Sequence, residues 1–178
     1  MTAAQSGDVT IRRLTTMSEA EIAQLVSVLL DCVEGGASVG FMQPLERAKA
    51  EAFWCRIGAE VASGARILLA AEDAHGIVGT VQLVVAQPDN QPHRGDLAKM
   101  LVHRRARGRG IGAALIRAAE TAARDAGKTL LVLDTVTGSD AERLYRRLGW
   151  ILAGIIPDYA LMPIGGLCGT SVHYRKLA

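Results

Sequence analysis

From Val102 to Gly112 the chain reads Val-His-Arg-Arg-Ala-Arg-Gly-Arg-Gly-Ile-Gly, and no other stretch restricts its fold as much. Before it, Asp96 to Val102 has strand composition; after it, Ala113 to Ala126 is an alanine-rich amphipathic pattern ended by Gly127. The segment therefore predicts a strand, a glycine-rich turn and a helix in direct succession. Glycines let the backbone come close to a ligand, and the helix start leaves N–H groups pointing outward. Together they make an anion site suited to a pyrophosphate. Arg104, Arg105, Arg107 and Arg109 stand in the same stretch and would supply charge for further phosphates.

Two nucleotide readings of this turn meet obstacles. A P-loop needs Gly-Lys-Ser/Thr, and the chain has Gly112-Ala113-Ala114, which speaks against triphosphate hydrolysis. The dinucleotide fingerprint is formally met by Gly108-x-Gly110-x-x-Ala113, with Asp134 at the end of the next strand, as in a Rossmann-type oxidoreductase binding NAD(P). That fingerprint normally opens a long doubly wound sheet, whereas about 65 residues remain after the turn and the chain before it looks antiparallel. A glycine-rich turn with no ligand is the plain alternative.

The rest of the chain gives an element order. Val9 to Leu14 reads as a first strand. Ser18 with Glu21 three residues on forms a capping box for a helix carrying Ile22, Leu25, Val26, Leu29 and Leu30, stopped at Gly35-Gly36. A second helix is expected from Pro44 to about Ser63. Arg66–Glu72 and Ile77–Ala86 read as a hairpin around the Asp73–Gly76 turn. Leu130 to Asp134 is the short apolar run of a buried parallel strand, and Asp140 to Leu148 a helix stopped by Gly149. Trp150–Ile156 and Ser171–Lys176 are the last strands, joined by a long loop, residues 157–170, that covers a substrate or makes a dimer contact. The expectation is an α/β mixed sheet, β-α-α-β-β-β-α-β-α-β-β, in a single domain over residues 1–178.

Composition narrows the function classes. A formal charge of +2 argues against a protein that coats nucleic acid. Met1 to Asp8 is polar and lacks a signal-peptide core, and no apolar run reaches membrane-span length. Cys32, Cys55 and Cys168 form no CxxC pair and suit a reducing compartment, so a cytoplasmic protein is expected. His75, His93, His103 and His173 have no metal-ligand spacing, and no metal is expected.

The third reading of the turn is Arg-x-x-Gly-x-Gly at Arg107, Gly110 and Gly112, which resembles the coenzyme A turn of the GNAT acetyltransferase superfamily. The element order is also that superfamily's, and Leu144-Tyr145-Arg146-Arg147-Leu148-Gly149-Trp150 resembles its second signature, a helix with Tyr ending in Gly-aromatic. The family's asparagine ahead of that Tyr is replaced here, with Gly138-Ser139 nearby. Glu34-Gly35-Gly36-Ala37-Ser38-Val39-Gly40-Phe41-Met42, with Leu133-Asp134-Thr135 and Gly138-Ser139, looks like the tabtoxin-resistance type of acetyltransferase.

The resemblance implies a GNAT fold with a V-shaped, mostly antiparallel central sheet, and an enzyme that moves acetyl from acetyl-CoA to the amine of a small molecule. An amino-acid-like toxin or antibiotic is the implied substrate; an acyl-CoA sensor without turnover is the non-catalytic variant. By carry-over, the main chain of Met100, Leu101 and Val102 would align the pantetheine arm and donate to the acetyl carbonyl. Gly108, Arg109, Gly110, Ile111, Gly112 and Ala113, with Arg107, would hold the pyrophosphate, and Ser139 would replace the missing asparagine. Tyr145 would return a proton to the thiolate, against the alternative of a buried core tyrosine.

Asp96, placed by strand alternation on the face of Met100 and Val102, and Asp134 compete as base, each also readable as an ordinary strand-end acid. Glu34, Ser38 and Phe41 would line the acceptor side, or simply join two helices. The apolar residues of the 157–170 segment would either cover the acceptor or make a homodimer contact.

Overall fold

In the computed structural model, which describes residues 9–177, one seven-stranded sheet runs in the order β1-β2-β3-β4-β5-β7-β6. Its strands are β1 (Thr10–Leu14), β2 (Arg66–Asp73), β3 (Gly76–Val84), β4 (Arg94–Val102), β5 (Leu130–Val136), β6 (Ile151–Leu161) and β7 (Leu167–Lys176). The helices are α1 (Glu19–Glu34), α2 (Arg47–Ala62), α3 (Ile111–Asp125) and α4 (Asp140–Arg147). The order is the expected one; α2 starts three residues later than Pro44 suggested, at Arg47. Met1 to Asp8, read above as free of a signal-peptide core, lies outside the described residues.

The sheet separates two apolar layers because successive strand residues point to opposite faces. Leu68 and Ala70 pack with Leu25, Leu29, Trp54 and Ile57 of α1 and α2. Leu69 and Ala71, one residue out of step, pack with Ile111, Leu115, Ile116 and Ala119 of α3. Helix α1 begins with both halves of the capping box: Glu21 N donates to Ser18 Oγ, and Ser18 N to Glu21 Oε2 at 2.7 Å. Such a cap contributes about 1 kcal/mol.

Where the sheet opens is set by one irregularity. Strands β4 and β5 are the parallel pair, and they pair over only Arg94↔Leu130, Gly95↔Leu131 and Asp96↔Val132. Beyond these, β4 stays with β3 and β5 with β7, so the sheet splays into a V. The cause lies in β4, where Gln82 faces Ala98 but Thr80 faces Leu101, leaving Lys99 and Met100 opposite Val81. Lys99 takes a left-handed conformation, φ 50°. An extra residue of this kind bends the strand and raises its twist, turning β4 away from β5.

The bulge corrects one expectation. Leu97, Met100 and Val102 all pack in the α3 layer. Met100 and Val102 both lie an odd number of residues from Leu97 and could not share its face in an unbroken strand, so the extra residue has shifted the phase. Asp96, next to Leu97 in the regular part, faces away from Met100 and Val102.

The C-terminal region supplies a second correction. Residues 157–170 do not form a long loop: β6 runs to Leu161, and β7 starts at Leu167. Pro157 and the Gly165-Gly166 pair gave the segment a loop-like composition. Pro157 is tolerated because β6 is the sheet edge, where no partner needs its N–H. The pairing shifts between Ile156 and Ala160, and Asp158 has φ 52°, so a bulge absorbs the proline.

Candidate active site

The glycine turn is built by backbone. Gly108 and Gly110 both have φ 75°, and an added Cβ at either would meet no atom within 4 Å. Gly110 is the N-cap of α3 and has no side chain to bond the first-turn N–H groups, which leads on to Ile111, Gly112 and Ala113. Uncapped donors at a helix start, with open space in front of two glycines, fit a diphosphate. Gly112 serves packing instead, since a Cβ there would lie 3.0 Å from Leu144 Cδ2 and its smallness lets α3 approach α4. Arg107 Nε braces the turn by donating to the Val102 carbonyl at 3.1 Å.

The arginines are less available than their number suggests. Arg104 Nε donates to Asp31 Oδ1 at 2.8 Å and its Nη2 to Glu34 Oε2 at 2.5 Å. Arg105 pairs with Asp73 at 2.7 Å and Arg109 with the same carboxylate at 3.3 Å. Hydrogen bonds from Arg105, with those from His75 N and Arg109, hold the Asp73 carboxyl down to about 2 against the cost of its burial. Three of the four arginines expected to supply charge for phosphates thus have internal carboxylate partners. Glu34, expected on the acceptor side, pairs with Arg104.

The opening between β4 and β5 gathers the chemistry-bearing side chains. On one lip, Leu97 to Val102 have no β5 partner, which leaves the β5-facing main chain of Met100, Leu101 and Val102 without a strand. On the other lip is Asp134, exposed, with Thr170 Oγ1 at 3.4 Å from Oδ2. Tyr145 of α4 is buried, its ring centroid 5.9 Å from Trp150 and 6.5 Å from His173. Burial, and then the negative charge of Asp134, push the Tyr145 phenol well above its ordinary pKa. The phenol is protonated, as an ordinary tyrosine is at neutral pH, and the shift makes it a hydrogen-bond donor that releases its proton less readily.

Trp150 is anchored in turn, because its Nε1 donates to the buried Glu120 at 3.1 Å. Ser139 caps α4 by accepting from Glu142 N at 3.1 Å. Asp96 sits at the base of the V, engaged by Arg94 at 3.1 Å and by Gln87 Nε2 at 3.0 Å.

The α1–α2 connection is bonded to the β6–β7 tip. Ser38 Oγ donates to the Leu161 carbonyl at 3.1 Å, and Gln43 N to that of Pro163 at 2.8 Å. Phe41 stands edge-on to Phe53 of α2, 5.4 Å between centroids. Next to them is Lys99, which belongs to none of the sequence motifs: its Nζ is 6.0 Å from the Phe53 centroid. A signal was present all the same, since a lysine inside Leu97-Ala98-Lys99-Met100-Leu101 interrupts the alternation expected of a strand.

Among the described residues no group of three His, Cys, Asp or Glu side chains is placed to hold a metal, and no helix is long and apolar enough to cross a membrane. The three cysteines are unpaired.

This geometry defines a class: a splayed mixed sheet with an uncapped glycine-rich turn at the head of the helix that follows β4. The dinucleotide reading falls on the topology, because a sheet with one short parallel pair is not doubly wound.

Known proteins share these features. Residues 31–150 match the profile of the Acetyltransferase (GNAT) family, and the chain belongs to that family. The fold is shared with yncA of Salmonella typhimurium, solved with its cofactor acetyl-CoA, at 19% identity and TM-score 0.77, covering 96% of this chain and 95% of that one. It is shared with a ribosomal-protein-alanine N-acetyltransferase from Brucella melitensis at 22% identity and TM-score 0.77, covering 94% and 99%. A GCN5-related N-acetyltransferase from Kribbella flavida gives 24% identity and TM-score 0.76, covering 95% and 98%.

Proposed function

We propose that residues 1–178 form a single cytoplasmic domain that transfers acetyl from acetyl-CoA to the amine of a small molecule. The observation that carries this is the V-shaped opening between β4 and β5, with the uncapped α3 start at one end and Tyr145 and Asp134 at the other. Acetyl-CoA supplies, when bound, the acetyl thioester. The first-turn N–H groups of α3, with Gly108, Arg109 and Gly110, hold its diphosphate, and Arg107 keeps the turn in shape. The main chain at Met100, Leu101 and Val102, which has no β5 strand beside it, aligns the pantetheine arm and donates to the acetyl carbonyl oxygen as charge develops there.

Asp134 faces the incoming amine and takes its proton, directly or through water. Tyr145, kept protonated, gives its hydroxyl proton to the departing sulfur. Asp96, tied to Arg94 and Gln87, stays an alternative base acting from the bottom of the V. Ser139 supports the site through the start of α4, and Ser38 and Phe41 shape the acceptor wall. The segment Glu34 to Met42 and its resemblance to the tabtoxin-resistance type favour an amino-acid-like toxin or antibiotic as acceptor.

The same protein is proposed to work as a homodimer. Edge strand β6 exposes Ile151, Leu152, Ile155, Ile156, Tyr159 and Leu161 along an edge that no other strand of the sheet covers. A second copy covers it.

The test is an acceptor screen with a thiol-reporting dye and acetyl-CoA, over amino acids, polyamines, aminoglycosides and amino-acid-like toxins, alongside thermal unfolding. A rise in melting temperature with acetyl-CoA and thiol release with an amine are expected. A melting temperature that acetyl-CoA leaves unmoved contradicts the site, and a rise without turnover on any amine supports the sensor variant.

A further inference from the structure

Lys99 is a cation held in the acceptor half of the opening without a contact to neutralise it. It makes no hydrogen bond or ion pair with any described residue; its nearest features are the Phe53 ring, 6.0 Å from Nζ, and the place where a Cβ on Gly40 would lie, 3.8 Å away. Its left-handed backbone carries strain that glycine would avoid, and such strain persists where a side chain is needed at that point. Burial lowers its pKa, Arg66 acts in the same direction, and the Asp134 carboxylate opposes them, so Asp134 lies within electrostatic reach of Nζ.

A second donor without an acceptor lies on the same side of the sheet. Gln82 is fully buried in β3, opposite Ala98, the residue before Lys99, and opposite Leu68 of the α1–α2 layer. Its Oε1 accepts from Arg66 Nη1 at 2.8 Å. A guanidinium only donates, so this contact fixes which end of the amide is oxygen. The other end, Nε2, is a donor, and it has no partner. Buried polar groups are normally satisfied, and an exception of this kind needs an explanation.

An unpaired ammonium at the opening calls for a negatively charged hydrogen-bond acceptor, while Asp134 across the opening calls for an ammonium. We propose that Lys99 anchors a carboxylate on the acceptor, which makes the acceptor a small zwitterion with its amine towards Asp134 and Tyr145 and its acid towards Lys99. This rests on the acetyltransferase reading and narrows its substrate class. Phe41 and Phe53 form the apolar wall that excludes water from the ion pair and so strengthens it.

The experiment compares matched acceptors: free amino acids and their carboxamides, which keep the amine and lose the charge, assayed by thiol release at saturating acetyl-CoA. Wild-type protein is expected to favour the acid over the carboxamide in kcat/KM by roughly tenfold to a hundredfold, the range of one charge-assisted contact. Lys99→Met is expected to bring that ratio close to unity, chiefly through KM for the acid. Lys99→Gln, which keeps a donor without the charge, is expected to fall between.

Retention of the acetyl-CoA melting shift in each variant shows that the fold and the phosphate turn are intact; should Lys99→Met lose it, Lys99→Gln is decisive by the same ratio. Wild-type turnover of acids and carboxamides alike, or a preference that survives in the variants, overturns the proposal and leaves the acetyltransferase reading standing. Absence of thiol release with every amine overturns both.

Discussion

The two ends of the opening between β4 and β5 are made of different material. At the end proposed for the phosphates the groups on offer are peptide N–H groups, displayed by two left-handed glycines and an uncapped helix. The charged side chains there are spent on one another, Arg104 on Asp31 and Glu34, and Arg105 and Arg109 on Asp73. At the end proposed for the acceptor the groups are side chains: Lys99 of β4 beside Phe53 of α2, with Asp134 of β5 within electrostatic reach of Lys99 and of Tyr145 of α4. A site made of backbone is the same for any sequence that keeps the turn, whereas a site made of converging side chains changes with single residues. The first end suits a fixed cofactor and the second a varied acceptor.

That contrast can be broken by variants at either end. Tyr145→Phe carries the largest expected effect: kcat should fall by about a hundredfold or more, the usual worth of a positioned acid, with little change in acetyl-CoA affinity. Normal turnover would make Tyr145 a core residue and move the chemistry elsewhere. Gly110→Trp acts at the other end and should weaken acetyl-CoA binding by roughly a hundredfold in calorimetry, since it forces a side chain into left-handed backbone and fills the cradle. Affinity that stayed the same would mean that the turn does not hold the diphosphate.

A smaller effect tests the claim that the arginines are structural. Asp73 has a carboxyl depressed to about 2 by its arginine partners, so its stabilisation is complete above pH 4 and is lost as pH falls towards 2. Discounted for the partial exposure of both arginines, Asp73→Asn should cost about 1 kcal/mol at neutral pH in chemical denaturation and flatten the loss of stability in that acid window. An unaltered acid profile would mean that Arg105 and Arg109 are free for ligand after all. Smallest for catalysis is Ile155→Asp on the exposed β6 edge, which should convert a dimer to a monomer in light scattering while turnover per chain stays within about threefold. A wild-type protein that runs as a monomer removes the dimer.

What could be read from the sequence follows the same division. The element order, the capping box at Ser18 and the turn from Arg107 to Gly112 are local patterns, and each stands in the structure where its residues predicted it. The bulge at Lys99 is not local in consequence: one extra residue reversed the faces of Met100 and Val102 relative to Asp96 and opened the sheet. The partners of the arginines, Asp31 and Glu34 of α1 and Asp73 at the end of β2, could not be read, because pairing across such distances has no signature along the chain. Pro157 misled because only an edge position makes proline acceptable in a strand, and edge position is a property of the assembled sheet.

The most direct measurement is a crystal structure of the protein with acetyl-CoA. The diphosphate oxygens should accept hydrogen bonds from the peptide N–H groups between Gly108 and Ala113, with the thioester between β4 and β5 within reach of the Tyr145 hydroxyl. A complex with the diphosphate away from that turn, or with the thioester outside the opening, would contradict the account.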